Sequence, residues 1–154
     1  MPSISVVPLE ALTLILNQAA KRNSTMSEIR TGEFCWNELN TSDPDAAKKF
    51  YGELFGWQMD EMDMGDMKYT MFKAPGASEG PEGMGGGMMK SPLPEMPPFW
   101  LSYVLVEDVA ESLAKAESLG AKVIKGVTEL PMGTLAIFSD PQGATFAVWK
   151  KRSE

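Results

Sequence analysis

One supersecondary pattern occurs twice in this chain of 154 residues. A short apolar strand leads into an acidic turn and a helix closed by glycine, and the next strand starts at once. The first copy runs from Glu33-Phe-Cys-Trp-Asn-Glu-Leu39 through Thr41-Ser-Asp-Pro-Asp to Gly56-Trp57. The second runs from Trp100-Leu-Ser-Tyr-Val-Leu-Val106 through Glu107-Asp-Val to Gly120 and Val123. Asp43 and Asp108 open the two helices and Gly56 and Gly120 close them, so the copies share nearly one spacing. A repeated unit that cannot bury its own sheet face must pair with its neighbour to make one core. A second constraint is an absence: the chain has no histidine.

The length fits a single globular domain with a proper core. A net charge of −7, with no basic run longer than Lys150-Lys151-Arg152, opposes binding to phosphate backbones, so no nucleic-acid partner is expected. No apolar run approaches the ~20 residues that span a bilayer, so no membrane partner is expected. A single cysteine excludes an internal disulfide and fits a reducing, cytoplasmic setting. Residues 1–29 form an extension in which Leu9, Leu12, Ile15, Leu16 and Ala19 recur at helical spacing after Pro8. Lys21 and Arg22 follow that apolar stretch, the reverse of a secretory signal. The extension reads either as a dispensable tail or as a helix that docks on a partner or on the barrel.

Residues 30–151 carry the repeat. Alternation in strand one, Glu33 to Leu39, puts Phe34, Trp36 and Glu38 on one face and Cys35, Asn37 and Leu39 on the other. Asp43 is an N-cap, Pro44 takes the first helical position, and Ala46, Ala47, Phe50, Tyr51 and Leu54 form an apolar stripe that stops at Gly56. Trp57–Met62 and Lys68–Lys73 read as a hairpin, 74–83 as a Pro/Gly/Ser loop, and Met84–Met89 as a glycine-weakened strand. A linker over 91–98 with four prolines separates module one (33–89) from module two (99–150). Module two repeats the order. It has a strand at Trp100–Val106, a helix over Val109–Leu119 with Leu113, Ala116 and Leu119 inward, and strands at Ala121–Gly126, Gly133–Ser139 and Ala144–Lys150. Asp140-Pro-Gln-Gly143 is a turn. The class is α+β: two βαβββ modules pairing into a curled, barrel-like sheet with a central cup.

This order, with Ser42-Asp-Pro-Asp-Ala-Ala-Lys-Lys-Phe-Tyr-Gly-Glu-Leu-Phe-Gly-Trp57 and Asp140-Pro-Gln-Gly143, resembles the glyoxalase/bleomycin-resistance/dioxygenase (vicinal oxygen chelate) superfamily. Phe34-Cys-Trp-Asn-Glu-Leu39 and Pro97-Pro-Phe-Trp-Leu-Ser-Tyr103 are most similar to its glyoxalase-like subgroup. The resemblance implies a cup that holds a small molecule, in many members beside a divalent metal. It also implies ligand positions about seven residues before each helix-capping Asp and on the closing strand of each module. Those positions fall on Trp36, Leu101, Ala147 and within Met84-Gly-Gly-Gly-Met-Met89, none of which offers a hard oxygen or imidazole. No metal and no cofactor are therefore expected. One fold hosts many activities, so lyase-type catalysis stays open.

On the inferred cup-facing side, Glu38 is the one acid of strand one and the candidate catalytic acid or base. The competing reading places it at the rim, hydrated or paired with a lysine. Trp36, Tyr69, Met71, Leu101 and Tyr103 are the candidate ligand-binding residues, since aromatic rings with a polar handle suit a flat organic ligand. The plainer alternative is that they fill a packed barrel. The clustered methionines of module one read as adaptable packing rather than a copper site. Cys35 is placed towards the helix as a small hydrophobe with no histidine to activate it. The leading expectation is a metal-free protein that binds a small organic molecule and works as a homodimer. The alternatives are a metal-dependent lyase or dioxygenase and an inert interaction module.

Overall fold

A computed structural model describes residues 29–77 and 83–153. The elements are β1 (Phe34–Thr41), α1 (Pro44–Phe55), β2 (Gln58–Asp63), β3 (Lys68–Lys73) and β4 (Met84–Lys90), then β5 (Phe99–Leu105), α2 (Val109–Ser118), β6 (Lys122–Leu130), β7 (Gly133–Ser139) and β8 (Thr145–Lys151). The helical reading of the N-terminal extension lies outside the described residues, as does part of the loop over 74–83.

The strands form one curled, unclosed sheet in the order β2-β3-β4-β1-β5-β8-β7-β6. The order is palindromic: β1 runs parallel to β4 as β5 does to β8, and β1 meets β5 antiparallel. Trp36 pairs with Tyr103 and Glu38 with Leu101, so a pseudo-twofold between the strands relates Trp36 to Leu101 and Glu38 to Tyr103. The two modules thus join within one chain.

Both helices start as the sequence dictates. The Asp43 carboxylate accepts from the Ala46 amide at 3.0 Å and Asp108 from the Glu111 amide at 2.8 Å, each satisfying an orphan donor of the first turn. Gly56 closes α1 at φ 69°, a left-handed conformation open to glycine. Under α2, Val109 and Leu113 pack on Ala136, Phe138 and Val148. Under α1, Ala47 and Tyr51 pack on Leu39, Phe72 and Met88. Trp57 stacks on Phe72 with ring centroids 4.1 Å apart and packs on the same cluster.

Three expectations need correction here. The apolar stripe of α1 is only half used, because Phe50 and Leu54 remain 58% and 57% exposed. Leu119 is likewise exposed rather than inward, since α2 ends at Ser118 and Leu119 caps it. Strand β1 is not a plain alternation: a register shift between Phe34 and Trp36 leaves Cys35 as an extra residue. Phe34 therefore pairs with Val104 and lies on the face opposite Trp36. Cys35 packs on the Leu101, Tyr103, Leu135 and Ala147 cluster beside Trp36, not towards the helix.

The glycines of β4 are close-approach sites. A Cβ on Gly86 would overlap the Asn37 carbonyl oxygen and the Phe72 ring, and one on Gly87 would overlap the Tyr69 ring. Gly126 on β6 has open space instead. Gly86→Ala is expected to lower stability by about 1–3 kcal/mol, as overpacking does. Gly126→Ala should stay within about 0.5 kcal/mol of the parent. Urea melts of the two variants check the contrast.

Candidate ligand site on the cup face

The face of the sheet away from the helices carries a polar cluster where the modules meet. Strand parity puts Trp36, Glu38 and Asn40 there from β1, and the β1–β5 pairing brings Leu101 and Tyr103 alongside. Gly87 lies opposite both Glu38 and Met71, and the missing side chain lets the Tyr69 ring lie across β4 to reach β1. The Glu38 carboxylate accepts from the Tyr69 hydroxyl at 2.9 Å, the Tyr103 hydroxyl at 3.2 Å and the Asn40 side-chain amide at 3.2 Å. The Trp36 indole N–H donates to the Tyr69 oxygen at 3.0 Å.

All six residues singled out in the sequence face this surface, and four of them form one network: Trp36, Glu38, Tyr69 and Tyr103. Met71 is half-buried beside it through its pairing with Gly87. Leu101 is buried, and with Tyr103, Leu135 and Ala147 it fills the module-two half of the cup, packed by Ile137 and Trp149. The module-one half, with Trp36, Glu38, Tyr69 and Met71, is only half-covered. Asn40 and Gly87 were missed. Asn40 escaped because strand one was ended at Leu39, two residues short of its observed end. It shares the parity of Trp36 and Glu38, which is the signal that finds it. Gly87 looks in the sequence like a residue that weakens its strand, whereas in the fold it admits the Tyr69 ring.

Glu38 is held by neutral donors, and among the described residues no lysine or arginine forms an ion pair with it. Its partners respond to its charge. Burial, and then the Glu38 carboxylate, push the Tyr69 and Tyr103 hydroxyls well above the ordinary tyrosine range. Burial also pushes the Cys35 thiol up, and its sulfur contacts the Tyr103 carbonyl at 3.5 Å. Neither a thiolate nucleophile nor a phenolate is favoured here.

The four metal-ligand positions implied by the resemblance hold an indole (Trp36), an isobutyl group (Leu101), a methyl (Ala147) and, at the β4 position equivalent to Ala147, the bare backbone of Gly87. None is a donor for a divalent ion. Glu38 alone offers a carboxylate, and among the described residues no group of three or more Cys, Asp or Glu could hold an ion. The donor set does not fit a metal centre. A separate cavity of about 440 Å³ lies on the helix face, lined by Asn37, Trp57, Phe72, Ala74, Gly85 and Trp100. It shares no residue with the cup network, whose chemistry makes the cup the stronger candidate. Among the described residues, no helix is long and apolar enough to cross a membrane.

The raised phenols set a sign for pH dependence. Unfolding frees each tyrosine to its ordinary pKa of ~10, so the unfolded chain gives up these protons first. The stability held in the neutral hydroxyls is present below that pH and is lost as pH rises beyond it. Urea midpoints should therefore fall between pH ~8 and pH ~11, and less steeply in Tyr69→Phe and Tyr103→Phe than in the parent.

The profile of the Glyoxalase/Bleomycin resistance protein/Dioxygenase superfamily matches residues 33–148. CFP32 of Mycobacterium tuberculosis, which carries the provisional name glyoxylase, is 38% identical over 122 residues, covering 78% of this chain and 44% of CFP32. The anthracycline biosynthesis protein DnrV of Streptomyces peucetius is 30% identical over 141 residues, covering 82% of this chain and 50% of DnrV. The chain thus spans about half the length of the curated relatives it matches. Among solved structures, methylmalonyl-CoA epimerase of Streptomyces coelicolor bound to 2-nitronate-propionyl-CoA superposes with a TM-score of 0.60. That match is at 14% identity and covers 80% of this chain and all of the epimerase (100%), a likeness of fold. With its palindromic sheet, its paired βαβββ modules and these matches, the chain belongs to the glyoxalase/bleomycin resistance protein/dioxygenase superfamily.

Proposed function

We propose that this protein binds a small organic molecule on the cup face of its sheet and does so without a metal ion. One observation carries the reading: a carboxylate, Glu38, is held on the concave surface by two tyrosines and an asparagine, beside half-covered aromatic and thioether side chains. Apolar walls with a few convergent polar groups are the usual make-up of a ligand site. Trp36, Tyr69 and Met71 supply the wall on the module-one side, while Leu101 and Tyr103 form a filled floor on the other. The metal-free part of the reading rests on the donor-poor side chains at Trp36, Leu101, Ala147 and Gly87. If the protein turns a substrate over, Glu38 is the group placed to move a proton.

Two substitutions test this. Trp36→Ala should weaken ligand binding while lowering stability by less than the ~3–5 kcal/mol that emptying a packed aromatic site costs. Glu38→Gln keeps the shape, so it should leave the fold in place and change affinity or turnover. The measurement is a thermal-shift screen of small molecules, followed by titration and urea melts on the same variants, since a ligand of the native state raises its melting point. A core-sized stability loss for Trp36→Ala, with no molecule raising the melting point of the parent, would sink the reading.

We also infer that the chain works as a homodimer. The sheet is unclosed, and its edge strand β6 exposes Val123, Ile124 and Val127 next to an unpaired row of backbone groups. Sedimentation at micromolar concentration should give the mass of two chains, and a single-chain mass would refute the assembly.

A further inference from the structure

We propose that the cup selects ligands that donate hydrogen bonds, organic ammonium ions above all, and rejects organic anions. The inference rests on the proposed binding role of the cup and specifies its ligand. It follows from where each donor in the cluster points. A carboxylate only accepts, so the Tyr69 and Tyr103 hydroxyls must both donate to Glu38. The Trp36 N–H, a donor with no acceptor capacity, is directed at the Tyr69 oxygen. Trp36, Tyr69 and Tyr103 therefore have no N–H or O–H left to offer a ligand. Asn40 donates one of its two side-chain N–H groups to Glu38 and is itself buried away from the surface.

What the half-covered part of this network leaves for a ligand is acceptor capacity and charge. Glu38 Oε1 receives two of the three bonds and Oε2 one, so Oε2 keeps a vacant lone-pair direction. The Tyr103 oxygen, which donates to Glu38, also keeps its own lone pairs. The carboxylate is half-buried, and its three partners are neutral, so its negative charge is shared but not balanced. Beside it stand the half-buried rings of Trp36 and Tyr69, and aromatic rings attract cations through their quadrupoles. A carboxylate or phosphate brought beside Glu38 would meet like charge, with the N–H and O–H groups of Trp36, Tyr69 and Tyr103 already engaged. An ammonium ion would meet a charged acceptor with aromatic rings beside it.

The test uses three probes of one shape: 2-phenylethylamine as the ammonium, 2-phenylethanol as the neutral donor and 3-phenylpropionate as the anion. Each is titrated into the full chain while the Trp36 indole N–H is followed by NMR, its signal assigned through Trp36→Phe. The amine should bind on the order of tenfold more tightly than the propionate, with the alcohol between them. Glu38→Gln should bring amine and propionate to within about twofold. Glu61→Gln, on the exposed strand β2, changes net charge by the same amount and should leave the preference intact. Equal affinities in the parent, or a preference that survives Glu38→Gln, would overturn the inference while leaving a binding cup. No shift of the Trp36 signal with any probe at millimolar concentration would overturn both the inference and the binding reading.

Discussion

The antiparallel pairing of β1 with β5 is the contact on which the rest of the molecule depends. Each module alone is a four-stranded sheet with one helix and one uncovered face. Joining them edge to edge makes a single surface of eight strands and removes two edges that would otherwise be open to foreign pairing. The join also sets the chemistry, because a strand's side chains alternate and a slip of one residue would turn every one of them over. In the observed register Glu38 and Tyr103 occupy equivalent places across the pseudo-twofold and meet through a hydrogen bond. The same register puts Leu101 beside Glu38, so the polar cluster has an apolar floor.

Symmetry in the backbone and asymmetry in the side chains coexist here. Where module one has Glu38, Tyr69 and Gly87, module two has Tyr103, Leu135 and Ala147 at the equivalent register positions. Module two is filled and apolar on the cup face, and module one is polar and half-covered. Two halves share one backbone plan, and a bare glycine in one against a packed cluster in the other makes a one-sided site. Such a division lets one half hold stability while the other is free to vary.

Much of the fold could be read from local chemistry. Asp43 and Asp108 cap helices because a short acceptor before a helical run satisfies free amides, and Gly56 closes one because it accepts a positive φ. These effects act within a few residues, so sequence shows them directly. The bulge at Cys35 was not legible, since an extra residue in a strand is decided by the partner strand and breaks the alternation that sequence reading relies on. The exposed side of α1 was hidden for a similar reason. The stripe of Phe50 and Leu54 marks an amphipathic helix, but Trp57, which comes from beyond the helix end, took the place on the sheet. At the site, parity alone brought out Glu38 and its aromatic neighbours. Asn40 needed the true strand end, and the use of Gly87 needed the position of a ring contributed from another strand.

The glycine at position 87 decides which side chains the cup can admit. Its register mate in module two is Ala147, where the resemblance expects a metal ligand, so building a metal site on this side would require a histidine or glutamate in place of Gly87. That side chain would enter the volume now occupied by the Tyr69 ring and detach Tyr69 from both Glu38 and Trp36. The glycine and the tyrosine therefore act as a ratchet. Either change alone damages the cup, so this strand could take a ligand side chain at position 87 only together with a replacement of Tyr69.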